Sequence, residues 1–194
     1  MMKGKSKSDS AIAGRISGKQ AGLGIVEVLV ALVIVSFGVL GMAGLQLTGL
    51  KHSTSGFNRS KALMLADGMA TRMRINRDAA RAQAYNNYDS ALLNCFEKPD
   101  PYCQATVSAS AQACDSLELA SFDRYTLACG DYGSTAANAG VAGLLPAGSS
   151  MKVSCVDTVC VPESTYRITV SWPERANASD DDQQMRQVQM RLRP

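Results

Sequence analysis

The chain carries one long apolar run, and it lies near the start. Residues 23–50 read LGIVEVLVALVIVSFGVLGMAGLQLTGL, in which Glu27 is the only charged residue. A helix of this length would extend roughly 42 Å at about 1.5 Å per residue, which exceeds the roughly 30 Å hydrocarbon core of a bilayer. The run therefore predicts a helix that spans a membrane.

Helical periodicity continues beyond the apolar run. Ala62, Leu65, Met69 and Met73 recur at three- and four-residue steps, and the first proline of the chain is Pro99. This spacing predicts an amphipathic continuation of the same helix to about residue 80, with its apolar stripe covered by the C-terminal domain. The arginines of this region are expected on its solvent-exposed face: Arg72, Arg74, Arg77 and Arg81.

The second half of the chain shows the two-residue alternation of β-strands. Strands are predicted over 151–156, 166–172 and 184–192. Residues 177–182 are expected to form a hairpin loop, residues 133–148 a loop, and residues 114–124 a short helix that begins at Asp115 or Ser116. The predicted fold class is α+β, with the long N-terminal helix packed against a small antiparallel sheet.

These patterns divide the chain into four segments. Residues 1–22 form a polar, basic leader, and residues 23–50 form the membrane helix. Residues 51–84 continue that helix in amphipathic form, and residues 85–194 form a globular domain. At 194 residues the chain is long enough for one compact domain with an added element.

Charge is distributed unevenly along the chain. Five basic residues and one acidic residue precede residue 23, so the total charge of +3 leaves −1 for everything that follows. Basic residues before a membrane helix favour a cytoplasmic N-terminus, which predicts a single-pass inner-membrane protein with its C-terminus in the periplasm. A near-neutral body also lacks the clustered basic surface that nucleic-acid binding requires, so no direct nucleic-acid partner is predicted.

The six cysteines all lie in the second half of the chain, at Cys95, Cys103, Cys114, Cys129, Cys155 and Cys160. Their even number, with no C-x-x-C pair and no nearby histidine, favours disulfides over a zinc site. This interpretation agrees with an oxidising periplasm, whereas buried reduced cysteines are the alternative. Cys155 and Cys160 are close enough in sequence to pair across a tight turn. The pairing of the other four stays open.

One carboxylate lies inside the predicted membrane helix, and it needs an explanation. Holding the charge of Glu27 at membrane depth costs roughly 2.5 to 3.5 kcal/mol on insertion scales. A cut between Gly22 and Leu23 would create an α-ammonium group one helical turn away, because Leu23 is four residues before Glu27. Such a cut would supply the positively charged partner that Glu27 lacks.

These residues resemble a known signal. The stretch G-LGIVEVLVALVIVSFGVLGMAGLQ is similar to the class III signal sequence of type IV prepilins, which commonly reads G-FTLIEVLVAL. The segments LLPAGSS (144–150) and YRITVSW (166–172) extend the resemblance to the PilV family of minor pilins. The resemblance implies that prepilin peptidase cuts after Gly22 and N-methylates Leu23. It also implies that Glu27 neutralises the N-terminus of a neighbouring subunit during assembly.

The resemblance implies a structural protein and not an enzyme. Its expected role is that of a minor pilin that primes or modifies type IV pilus assembly, which serves twitching motility, adhesion and DNA uptake. Its expected partners are the prepilin peptidase, other minor pilins, the major pilin and the inner-membrane assembly platform. No metal, cofactor or catalytic set is predicted. A type II secretion pseudopilin and a signal-anchored periplasmic binding module remain the alternatives.

Overall fold

The computed structural model describes residues 22, 24–106, 109–132, 139–175 and 183–194. The chain divides into two compact units, Met1–Thr48 and Gly49–Pro194. One helix, α1 (Ile25–Ile75), begins in the first unit and ends in the second. The leader before Gly22 and the predicted hairpin loop at 177–182 lie outside the described residues.

The later part of α1 presents one apolar face to the rest of its unit. The buried side chains on this face are Ala62, Leu65, Ala66, Met69, Ala70 and Met73. They belong to the same core cluster as the inner side chains of a β-sheet. The three- and four-residue spacing predicted from the sequence therefore marks the face that the helix buries.

The helix ends at Ile75, a few residues before the end expected from its periodicity. Asn76 leaves helical geometry with φ −98° and ψ 63°, and a five-residue helix, α2 (Arg77–Arg81), follows it. The side-chain nitrogen Nδ2 of Asn76 donates to the carbonyl oxygen of Ser116 at 2.7 Å. Asparagine competes for backbone partners in this way, which is why it favours helix ends over helix interiors.

Four antiparallel strands form one sheet in the order β1-β2-β3-β4. They are β1 (Tyr88–Asp89), β2 (Ser150–Cys155), β3 (Tyr166–Arg175) and β4 (Gln183–Leu192). Alternate residues of β3 are buried against the core, namely Tyr166, Ile168, Val170 and Trp172. The predicted α+β fold, a long helix packed on a small antiparallel sheet, is confirmed, and the two-residue β1 is an element that the sequence did not indicate.

Strand β3 runs through Pro173, although the sequence predicted its end one residue earlier. The N–H of Val156 donates to the carbonyl of Thr165 at 2.8 Å, so the odd-numbered residues of β3 direct their backbone groups toward β2. Among the described strands, β2 begins opposite Ser171. At Pro173 the side of β3 that lacks an N–H therefore has no described strand beside it, so no strand hydrogen bond is lost. Pairing with β4 on the other side continues to Arg175.

Helix α3 (Ser116–Cys129) begins where the sequence predicted a helix. The side chain of Asp115 accepts hydrogen bonds from the N–H groups of Leu117 and Glu118, both at 2.8 Å. Glu118 accepts in return from the N–H of Asp115 at 2.8 Å, which completes a capping box. A short helix, α4 (Gly140–Leu144), lies within the region predicted as a loop, of which residues 133–138 lie outside the description.

Candidate functional site

The start of α1 holds the residues that the motif singled out. Gly22 is exposed, and Leu23 lies outside the described residues. Glu27 lies in the first turn of α1, where its N–H donates to the carbonyl of Gly24 at 3.0 Å. A carboxylate in a first turn also interacts favourably with the positive end of the helix dipole. Within the part of the chain that the structure describes, Glu27 forms no ion pair.

The first part of α1 has one charged side chain, that of Glu27, and no described residue of its own unit covers it. Every residue from Ile25 to Leu50 is exposed. Among the described residues, α1 is the single helix long and apolar enough to cross a membrane. A helix that is hydrophobic on all sides requires an apolar environment, which a bilayer or a bundle of other helices supplies.

The few hydroxyl groups of this region are satisfied by the helix itself. Ser36 Oγ donates to the carbonyl of Leu32 at 2.7 Å, and Thr48 Oγ1 donates to the carbonyl of Gly44 at 3.0 Å. A hydroxyl bonded in this way requires no water, so it can be placed in hydrocarbon at little cost. The charged side chain of Glu27 has no such partner among the described residues.

Glycines interrupt the apolar run at Gly38, Gly41, Gly44 and Gly49. A Cβ placed on any of them would meet nothing within 4 Å. Within the described parts of the chain, these positions are therefore not used for close packing. Two interpretations stay open, namely approach of another helix to these small residues and local loosening of the helix.

A second polar group of residues joins the end of α1 to α3, and we call it the Arg72–Asp123 cluster. Arg72 Nη1 donates to Asp123 Oδ1 at 3.1 Å and also contacts Thr126 Oγ1. The hydroxyl of Tyr85 donates to Asp123 Oδ2 at 2.6 Å. Asn76 Nδ2 donates to the Tyr85 hydroxyl at 3.3 Å, which completes the cluster. The cluster fixes where α3 lies against the end of α1.

Burial governs the ionisation of this cluster. Asp123 is 6% exposed, and removal from water raises the pKa of its carboxyl group above the usual range. The hydrogen bond from Tyr85 and the charge of Arg72 act in the opposite direction and lower that pKa. Burial, together with the neighbouring Asp123, likewise raises the pKa of the Tyr85 hydroxyl. The cluster is therefore a desolvated polar contact whose donors stabilise a buried carboxylate.

The position of Arg72 differs from the sequence-based expectation. Arg74, Arg77 and Arg81 are exposed as predicted, but the side chain of Arg72 is only 34% exposed and is paired with Asp123. The sequence held one indication of this contact, because Asp123 occurs among the apolar positions of a predicted helix. An acidic residue on the buried face of a helix requires a partner. The sequence could not say which of the arginines supplies it.

All six cysteines are joined in disulfides. The pairs are Cys95–Cys129, Cys103–Cys114 and Cys155–Cys160. Cys155–Cys160 closes the connection between β2 and β3, and Gln83 Nε2 donates to the carbonyl of Cys160 at 2.6 Å. The other two pairs attach the segment between β1 and α3 to itself and to the end of α3. Thiol chemistry and metal ligation by cysteine therefore play no part in the oxidised chain.

These features define a class of protein, namely a disulfide-bonded helix-and-sheet domain that follows an apolar helix suited to membrane anchoring. A family model described as Tt1218-like, type IV pilin Tt1218, matches residues 44–125. The chain is therefore similar to a type IV pilin over 82 of its 194 residues. No curated protein and no solved structure matched the chain.

Proposed function

We propose that this protein is a minor type IV pilin of the PilV type. Prepilin peptidase cuts it between Gly22 and Leu23 and methylates the new N-terminus at Leu23. The helix formed by residues 23–50 holds the subunit in the inner membrane, with the globular domain in the periplasm. The subunit then leaves the membrane with other minor pilins and the major pilin to prime or modify the pilus.

The observation that carries this proposal is the carboxylate of Glu27, which is the only charged side chain on the exposed part of α1 from Ile25 to Leu50 and has no ion-pair partner among the described residues. A charge at the centre of a membrane helix costs roughly 2.5 to 3.5 kcal/mol, which is an upper bound for Glu27 near the helix start, and the described residues offer it no ion-pair partner. The missing partner must come from outside the described chain. The N-terminal ammonium group of a processed subunit has the right charge, and methylation preserves that charge.

Two separate parts of the chain support the same class of protein. The cleavage motif occupies residues 22–32, whereas the type IV pilin match begins at residue 44. Because the match does not include the motif, the signal sequence did not produce it. The signal-like stretch at 22–46 and the match at 44–125 share only three residues, so two nearly separate regions support the same class.

Charge pairing gives the assembly step a physical basis. When apolar helices bundle, many axial offsets bury similar apolar area, so apolar packing alone selects a register weakly. An offset that leaves Glu27 unpaired retains the cost of a buried charge, and the offset that joins it to a neighbour's ammonium group removes that cost. A bias of at most 2.5 to 3.5 kcal/mol corresponds to at most a roughly 70- to 370-fold preference for the paired register.

Intact-mass spectrometry of the membrane-extracted protein tests the processing step. We expect a chain that starts at Leu23 with one added methyl group, and a full-length chain from cells without prepilin peptidase. Retention of residues 1–22 in cells with a working peptidase would contradict the proposal and favour a signal-anchored periplasmic protein.

Replacement of Glu27 tests the charge-pairing step separately. Glu27→Gln and Glu27→Ala should both be cut and methylated normally, but their amount in sheared pili should fall by one to two orders of magnitude, roughly as the pairing energy implies. Gln46→Ala is the matched control, because it removes a polar side chain from the same exposed helix without changing charge. Normal incorporation of Glu27→Gln would refute charge pairing. Wild-type protein in a secretion pseudopilus but absent from pili would instead favour the pseudopilin.

A further inference from the structure

Among the residues that the structure describes, the last strand of the sheet has a neighbour on one edge only. β4 pairs with β3 along its whole length, from Gln183 to Leu192. In the described chain, no segment pairs with the opposite edge of β4. A ten-residue edge strand presents a row of free backbone groups, and proteins usually shield such a row because it accepts further strands.

The hydrogen-bond register identifies the free backbone groups. The hydrogen bond between Val156 and Thr165 shows that the odd-numbered residues of β3 direct their backbone groups toward β2. The even-numbered residues of β3 therefore direct theirs toward β4. Their partners on β4 are also even-numbered, as in the pair Val170 and Val188. The odd-numbered residues of β4 therefore direct N–H and C=O away from the sheet: Gln183, Met185, Gln187, Gln189 and Arg191.

The other side of the sheet supports this assignment. If the even-numbered residues of β2 direct their backbone N–H and C=O groups toward β3, its odd-numbered residues must direct theirs toward β1. The N–H of Met151 donates to Ser90 Oγ at 2.8 Å, and the N–H of Cys155 donates to Asn86 Oδ1 at 2.9 Å. Both acceptors come from the β1 side of the sheet, as the alternation requires.

The free edge is positively charged at one end. Residues 183–194 contain three arginines and no acidic residue. Arg186 is paired with Glu174 at 3.7 Å, but Arg191 forms no ion pair with any described residue. Arg191 lies directly opposite Arg167 on the same face of the sheet, and like charges in this position are destabilising. Arg167 Nε is also buried without a hydrogen-bond partner among the described groups.

We propose that the outer edge of β4 accepts an extended segment of a partner protein as a fifth strand, with a carboxylate opposite Arg191. The added strand would supply acceptors and donors to the free backbone groups of the odd-numbered residues. The Cβ of its acidic residue would lie about 5 Å from the Cβ of Arg191. The carboxylate would then offset the repulsion between Arg191 and Arg167. A second copy of this chain fits poorly, because β4 against β4 would bring together two strands that carry only positive charges.

Strand peptides test this proposal on the full-length protein in detergent micelles. Two ten-residue peptides of alternating Thr and Val differ only at one central residue, which is Glu in one and Lys in the other. We expect the Glu peptide to slow hydrogen exchange of the Gln187, Gln189 and Arg191 amides, which should exchange rapidly in the free protein. It should bind about fivefold more tightly than the Lys peptide. Equal binding of the two peptides, or outward amides already protected in the free protein, would overturn the proposal.

A backbone substitution separates strand addition from other binding. Gln189→Pro removes one outward N–H that β3 does not use, and proline is tolerated at such edge positions. Gln189→Thr is the matched control, because it changes the side chain and keeps the N–H. We expect the proline variant to lose peptide binding and the threonine variant to keep it.

Charge reversal provides a test that does not depend on tolerance of proline. Arg191→Glu should invert the preference, so that the Lys peptide binds more tightly than the Glu peptide. An unchanged preference would refute the role of Arg191. Concentration-dependent dimerisation of the wild type that Gln189→Pro abolishes would assign the edge to a second copy and would also overturn the proposal. None of these outcomes depends on cleavage at Gly22, so they are independent of the proposed pilin function.

Discussion

The hydroxyl of Tyr85 offers a sharp test of the Arg72–Asp123 cluster. Tyr85 is fully buried, and its hydroxyl donates to Asp123 Oδ2 at 2.6 Å. Tyr85→Phe removes this hydroxyl and leaves the ring, so packing is almost unchanged. A hydrogen bond to a charged group contributes about 1.5 to 3 kcal/mol, and we expect the free energy of unfolding to fall by that amount near neutral pH.

The loss should depend on pH in a defined direction. The hydrogen bond from Tyr85 lowers the pKa of Asp123, against the larger effect of burial, which raises it. Without the hydroxyl, the folded-state pKa of Asp123 is therefore higher still. Between the wild-type and variant pKa values of Asp123, the folded variant binds more protons than the folded wild type. The difference in free energy of unfolding between wild type and variant therefore grows as pH rises through this interval. The deficit should shrink in acid, where Asp123 is protonated in both proteins.

Chemical unfolding of the oxidised full-length protein in detergent measures both effects. Trp172 is the only tryptophan of the chain and is buried on β3, so its fluorescence reports unfolding of the sheet. Tyr132→Phe is the matched control, because this tyrosine is 38% exposed and its replacement should change stability by no more than about 0.5 kcal/mol. A Tyr85→Phe deficit below that size, or one that grows in acid, would refute the role assigned to the cluster.

Two further predictions concern local geometry. Gly140→Ala should destabilise the protein by about 1 to 3 kcal/mol, because Gly140 has φ +72° and an added Cβ would lie 2.7 Å from the backbone nitrogen of Gly130. Gly68→Ala is its control: the new Cβ would make an ordinary 3.5 Å contact with Leu127, so thermal unfolding should show a neutral or slightly stabilising change. Asp115→Ala should lower the free energy of unfolding by about 0.5 to 2 kcal/mol through loss of the α3 cap. A smaller loss in chemical denaturation would contradict the capping role.

The apolar run, the amphipathic stripe and the strands could be predicted because each is a repeating local pattern. A helix buries every third or fourth residue and a strand every second residue, so the buried face is readable without knowing what covers it. The cap at Asp115 is local in the same sense, because its donors lie two and three residues away. The two-residue β1 gives no such pattern, since it is too short to repeat.

Contacts between distant residues could not be predicted in this way. Arg72 and Asp123 are 51 residues apart, and the sequence offered several arginines as possible partners. The pairing of Cys95 with Cys129 spans 34 residues and depends on where α3 ends. In each case the residue types were compatible with several partners, and only the packing of α3 chose among them.

The sequence alone determined that residues 23–50 need an apolar environment and that Glu27 is an isolated charge within it, because hydropathy and charge belong to each residue wherever it lies. The tertiary structure alone decided which polar groups meet in the core and which backbone groups of β4 stay free. Those outcomes depend on strand register and helix position, and a shift of one residue in register would exchange the bonded and the free groups.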